Sequence, residues 1–303
     1  MIIDVFAHIL TPNFYQEMLK YDASIPQQYP FLRNQVLTDV NERIKHWPQR
    51  DLKQVVSFVN INPEDYLDPA TAARLCHQAN QELAATVAQY DDYFAAGVGM
   101  LPMNNIAAAL QELDDIKAAD QLVGVQMFTR HLGKSIADPV FRPVLARAAQ
   151  LGLPILLHPV FDSRKPDNNI VFSWEYELSQ AMYQLVLAGI FEDYPQLKVI
   201  AHHAGAMVPF FAGRINHILT AQQAADFKRF YVDTAILGNP AALRLTLDYY
   251  GVDHVLFGTD APFGILPAGA TTVIQDALVE CDLTPAQLAQ VNAGNYQRLV
   301  NGN

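Results

Sequence analysis

Eight short apolar runs, each separated from the next by a longer segment, constrain the fold of this chain more than any other feature. The runs are Met1 to Ile9, Val55 to Asn60, Tyr93 to Leu101, Leu122 to Phe128, Pro154 to Pro159, Lys198 to His203, Phe230 to Ala235 and His254 to Thr259. Helical patterns occupy the intervals, among them Pro69 to Tyr90, Ile106 to Ala119, Pro139 to Leu151, Glu175 to Tyr194, Val208 to Ala224 and Pro240 to Tyr250. Strands that alternate with helices predict a parallel sheet with helical crossovers. Eight such units in 303 residues predict an α/β fold of the (β/α)8 TIM-barrel type, a single domain over residues 1–303. Two segments exceed a minimal barrel. Residues 11–50, rich in Tyr, Pro and Gln, are read as an excursion near the barrel mouth plus the first outer helix, and residues 271–303 as a C-terminal helical tail packed outside.

In such a barrel the reactive groups gather where strands end, whatever their separation in sequence. The run His254 to Thr259 stops abruptly at Asp260, before Ala261-Pro262. A carboxylate at the rim of a core costs several kcal/mol of desolvation unless a cation or donors meet it. With period-two alternation, Asp4, Phe6 and His8 share one face of the first strand, and His8 points into the mouth. His158 ends the fifth strand, and His202 and His203 end the sixth. Neutral imidazoles and a carboxylate on separate strand tips can converge on one divalent cation, bonded at about 2.0–2.2 Å. In a regular strand His202 points away from His203, which predicts a packing or supporting role for His202.

Residues in the loops after these strands can shape a pocket. Trp174 offers a flat apolar wall, and Arg130, His131, Arg164 and Lys165 are loop cations near the expected mouth, able to pair with a carboxylate. Trp174, Arg130 and Arg164 are the substrate-binding candidates. Composition narrows the partners: 20 Lys and Arg against 31 Asp and Glu leave a net charge of −11, with no concentrated basic stretch, which argues against nucleic acid and membrane. The two cysteines, Cys76 and Cys281, sit far apart in helical patterns and read as packing residues in a reducing compartment. With no apolar run near 18 residues and no leader pattern at Met1, the expectation is a cytoplasmic protein.

The strand-end segments also carry a family resemblance. Ile3-Asp4-Val5-Phe6-Ala7-His8, Ile155-Leu156-Leu157-His158-Pro159, His203-Ala204-Gly205 through Gly213-Arg214-Ile215, and Gly258-Thr259-Asp260 occur in that order. The chain resembles the amidohydrolase superfamily, within it the amidohydrolase 2 group that includes aminocarboxymuconate semialdehyde decarboxylase. The resemblance implies that His8, His158 and Asp260 bind one divalent metal ion, Zn2+ in preference to Mn2+. It implies that His203 acts beside the ion as a catalytic acid or base, with Asp260 the second candidate for handling the proton. It further implies a homodimer and a carboxy-lyase activity on a small unsaturated or aromatic carboxylic acid. A hydrolase of an ester, lactone or amide bond is the alternative, because both chemistries occur in the group. Relatives carry a His or Glu ligand where this chain has Phe6; that departure supports a second alternative, a metal-poor barrel that only binds a ligand.

Overall fold

Runs apolar on both faces become strands buried on both faces. In a computed structural model that describes residues 1–167 and 169–302, the first run forms β1, Ile2–Ile9, with every residue buried. It is followed by β2 (Leu52–Phe58), β3 (Phe94–Gly99), β4 (Leu122–Phe128), β5 (Arg130–His131), β6 (Lys134–Ser135), β7 (Ile155–His158), β8 (Val199–Ala201) and β9 (Tyr231–Val232). Seven of these form one parallel sheet in the order β1-β2-β3-β4-β7-β8-β9, while β5 and β6 make a small antiparallel pair. The architecture is a curled, mostly parallel α/β sheet with helical crossovers.

The eighth run forms no regular strand. It nevertheless bonds to both edges of the sheet, through isolated parallel bridges Val232 to Val255 and Ala7 to Ala261. Leu256 N donates to Val232 O at 2.8 Å, and Asp260 N donates to Phe6 O at 2.8 Å. Other backbone groups of the run find partners outside any ladder. Gly258 exchanges hydrogen bonds with the Thr234 hydroxyl, and Phe257 N donates to Val291 O in the tail. Glycine is required at 258 because a Cβ there would stand 2.7 Å from Asp233 Cβ.

Helix ends follow the capping chemistry written in the sequence. Asp68 accepts hydrogen bonds from Ala70 N and Thr71 N, and Pro69 opens the helix Pro69–Gln89. Two of the expected helices are each divided in two. Gly189, in the left-handed region, separates Ser173–Leu187 from Ile190–Asp193, and a capping box at Thr220 starts Ala221–Phe227 after Ala212–Ile218. Residues 11–50 form short helices, and the Asn34 amide reaches the loop beyond Asp260, donating to Pro267 O at 2.9 Å. The tail does more than pack outside. Leu299 joins an inner cluster with Ile3, Val5, Phe6, Val55, Val98, Leu156 and Leu256, and Tyr296 packs against it. Leu299 therefore seals one end of the inner face of the sheet. No helix among the described residues is long and apolar enough to cross a membrane.

One expected alignment fails on β1. The register against β2 shifts between Asp4 and Ala7, inserting an extra residue, so Asp4 leaves the face that Phe6 and His8 share. Asp4 instead closes a buried polar chain. Arg43 Nε donates to Gln54 Oε1 at 2.9 Å, the Gln54 amide donates to Asp4 Oδ2 at 3.2 Å, and Thr259 donates to the same carboxylate from its hydroxyl (2.6 Å) and backbone N (3.0 Å). Arg43 Nη1 also donates to His8 O at 2.6 Å. This chain ties the backbone beside His8 and Asp260 to one buried brace.

Burial pushes the Asp4 carboxyl up to about 7, against the lowering effect of Thr259 and Arg43. The folded state therefore holds this proton more tightly than the unfolded chain. The associated stability is present below the unfolded value near 3.8 and is lost as pH rises through about 7. Thermal unfolding followed from pH 4 to 8 is expected to show this loss, on the order of a few kcal/mol, in the native protein and a flatter profile in Asp4→Asn. Parallel profiles would contradict it.

Candidate metal centre

Three imidazoles reach one carboxylate from separate strand tips. His8 lies at the end of β1, His158 at the end of β7, His202 just after β8, and Asp260 after the eighth run. Their candidate ligand atoms all lie within 4.8 Å of one another. His8 Nε2 is 3.1 Å and His202 Nε2 3.3 Å from Asp260 Oδ1. Neither nitrogen makes a hydrogen bond of acceptable geometry, although both are buried.

The opposite ring nitrogens are engaged elsewhere. His158 Nδ1 lies 2.7 Å from Pro159 O, and His202 Nδ1 bonds to the Asp233 carboxylate. Carbonyl and carboxylate oxygens only accept, so Nδ1 carries a proton in both rings, and in the neutral imidazole Nε2 then offers its lone pair. Ser57 Oγ lies 3.1 Å from His8 Nδ1. Leaving buried lone pairs unpartnered costs about 1–3 kcal/mol each. A divalent cation satisfies them together with the carboxylate, so the residues present fit a metal ion.

The electrostatics agree with that fit. Burial lowers the His8 imidazole, and burial followed by the nearby His8 and His202 rings holds His158 well below its usual value, so both stay neutral as a metal ligand requires. Burial by itself raises the Asp260 carboxyl. The facing His202, His203 and His8 imidazoles overcome it and hold the group well below the usual carboxylate range. His203 differs from the others. Burial opposes its charge, but Glu175, with Nδ1 2.7 Å from Oε1, and Asp260 raise it well above its usual value. Its Nε2 faces Asp260 Oδ2 at 3.9 Å. The site thus sets two imidazoles held neutral by burial, His8 and His158, beside two that facing carboxylates raise against burial, His202 and His203.

The expected second orientation of His202 is not observed. β8 stops at Ala201, His202 is the last extended residue, and His203 and Ala204 turn into the left-handed region at φ 54° and 56°. Alternation therefore ceases before it can separate the two imidazoles, and their rings lie 4.0 Å apart. Asp260 is left-handed as well, at φ 61°. Such non-glycine positions cost on the order of 1–3 kcal/mol each and collect where a site needs unusual directions.

The substrate-binding candidates divide between two places. The Trp174 ring lies 6.1 Å from His158 and 6.2 Å from His203, with its indole N–H donating to Val160 O. Trp174 is a wall of the metal group. Arg130 and Arg164 instead line a neighbouring cavity of about 230 Å³, with Tyr29, Asp65, Phe161 and Asp162, and no residue of the metal group lines it. Arg130 is loosely held, 3.4 Å from Glu177 and 3.9 Å from Asp162, whereas the exposed Arg164 pairs with Asp162 at 2.8 Å. His131 is no loop cation at the mouth. It is buried, bonded to Glu64 at 2.9 Å, and accepts a hydrogen bond from Phe128 N.

Two supporting acids escaped the sequence reading. Asp233 follows β9 directly, as Asp260 follows the eighth run, but it lies inside the apolar run Phe230 to Ala235, which hides the strand tip. Glu175 sits in the first turn of a helix, where acidic residues are ordinary, and nothing local marks it.

A model of the amidohydrolase family matches residues 46–301. The chain is similar to 6-methylsalicylic acid decarboxylase of Penicillium expansum, 28% identical over 240 residues that make up 70% of this chain and 72% of the relative. It is similar to 2-amino-3-carboxymuconate-6-semialdehyde decarboxylase of Dictyostelium discoideum, 28% identical over 242 residues, 74% of this chain and 67% of the relative. Its fold is that of dihydroxybenzoic acid decarboxylase from Polaromonas sp. JS666, solved with bound manganese and the inhibitor 2-nitroresorcinol, with a TM-score of 0.79, 20% identity and coverage of 99% and 96% of the two chains.

Proposed function

The chain belongs to the amidohydrolase family, and from that premise we propose that it is a metal-dependent decarboxylase of a small aromatic or unsaturated carboxylic acid. The observation that carries this reading is the buried convergence of imidazole nitrogens on Asp260, beside a proton-bearing His203. Relatives that are decarboxylases of 6-methylsalicylic acid and of an aminocarboxymuconate semialdehyde support it. His8, His158 and Asp260 would hold the ion. When bound, the ion supplies a Lewis acid that attracts and polarises the acid. The nitrogen-rich donor set favours Zn2+, with Mn2+ the alternative.

The residues of the chain then divide the work. Trp174 lays a flat wall against the conjugated part of the substrate, and Arg130 and Arg164 draw its anionic group toward the mouth. His203, held through Nδ1–H by Glu175, delivers a proton from Nε2 to the carbon that bears the carboxylate. The bond from that carbon to the carboxylate breaks, its electron pair stays with the carbon, and CO2 leaves. Asp260 faces His203 and balances its charge before transfer. Closure of the sheet and the eighth run into an eight-stranded barrel, as one domain, belongs to the same proposal. So does a homodimer in the cytoplasm, a setting that the two buried free cysteines fit.

CO2 release from aromatic and muconate-type acids tests the reading. His203→Ala is expected to lower turnover by roughly 10²–10⁴-fold while bound metal, measured by elemental analysis, is unchanged. Turnover of esters or lactones alone would replace the decarboxylase with a hydrolase.

A further inference from the structure

We infer that His202 is a fourth metal ligand standing in the coordination position that residue 6 of β1 would otherwise fill, with Phe6 and Asp233 as the parts that hold it there. The inference rests on the proposed metal centre and names how this chain completes it.

Phe6 lies two residues before His8 and is fully buried. A phenyl ring carries no donor. It lies face to face with His202, ring centroids 3.8 Å apart and planes 15° apart, so its stacking sets the plane of that imidazole. Any donor placed at residue 6 would occupy the flank of the His202 ring, and the two side chains compete for one approach to the ion. The rotation of the ring in its plane is set by Asp233. That carboxylate accepts from His202 Nδ1, from Ala204 N at 3.0 Å and from Ala235 N at 2.9 Å, so it cannot swing. A ligating imidazole oriented by a fixed carboxylate through its other nitrogen is a recurring device of metal sites. Among the described residues the buried Nε2 of His202 has no hydrogen-bond partner, and the atom it faces is Asp260 Oδ1 at 3.3 Å.

His203 does not compete for this role. Its Nδ1 belongs to Glu175, its Nε2 is farther from Asp260 at 3.9 Å, and it stands outside the group whose ligand atoms converge. The adjacent histidines thus separate by place: His202 turns Nε2 into the converging ligand group, and His203 stands beside that group with Nε2 toward Asp260.

The test compares dissociation constants for Zn2+ and for Mn2+, by chelator competition, in stripped and reloaded native protein and in folded variants. His202→Ala is expected to weaken binding roughly 100-fold or more, and Asp233→Asn about 10–100-fold. Adding Phe6→His to His202→Ala is expected to recover about tenfold or more, because the new imidazole enters the vacated position. His202→Ala that binds within twofold of the native protein overturns the inference. If His202→Ala does not fold, unchanged affinity in Asp233→Asn overturns it. A double variant no tighter than His202→Ala removes the claim of a shared position. Native protein that binds neither ion fails the proposed metal centre itself, a result distinct from all of these.

Discussion

Asp260→Asn is expected to lose both the bound ion and measurable CO2 release. The change keeps the volume of the side chain, and asparagine tolerates the left-handed backbone found at this position, φ 61°. Folding should therefore survive, which makes the variant a clean probe. What disappears is the negative charge toward which His8, His202 and His203 all point, at 3.1, 3.3 and 3.9 Å. Removing one partner of a buried charged group typically costs about 3–5 kcal/mol. At 1.36 kcal/mol per tenfold, metal affinity falls by roughly 10²–10⁴-fold, and turnover falls at least as far. Elemental analysis of the purified variant, with CO2 release on the best substrate, reads both quantities. A variant that retains a full equivalent of metal would show that the ion sits elsewhere.

His158→Ala is the second large effect. His158 is buried between the other rings, 4.8 Å from His8 and 5.3 Å from His202, and it forms the floor under Trp174. Truncation removes a ligand and opens a polar cavity in the centre, so metal and turnover are expected to vanish together. Free imidazole added to the medium should enter that cavity and restore part of both. Full metal content in His158→Ala, without added imidazole, would remove His158 from the ligand set.

Much of this site was legible because its signals are local. An apolar run that ends in His or Asp marks a strand tip, and parallel strands bring their tips together whatever the spacing in sequence. That logic reaches His8, His158, His203 and Asp260, which the structure does bring together. It failed at His202 because period-two alternation assumes a strand that continues, and β8 stops one residue earlier. It failed at Asp4 because an inserted residue in β1 changes the face without any mark in the apolar pattern. Glu175 was out of reach for another reason: its partner lies 28 residues away, and the packing of the helix Ser173–Leu187 against the turn His203–Gly205 brings them together. The eighth run read as a strand because its apolar residues are buried as a strand's would be. Besides Val5 and Val232 of the sheet, its backbone bonds to the Thr234 side chain and to Val291 of the tail, which composition does not reveal.

Anomalous X-ray scattering at the zinc and manganese edges, on crystals of the protein soaked with each ion, tests the common destination of these side chains most directly. A single peak bonded at about 2.0–2.2 Å to His8 Nε2, His158 Nε2 and an Asp260 oxygen is the predicted result. A peak away from these three residues, or no peak after soaking with either ion, would contradict it.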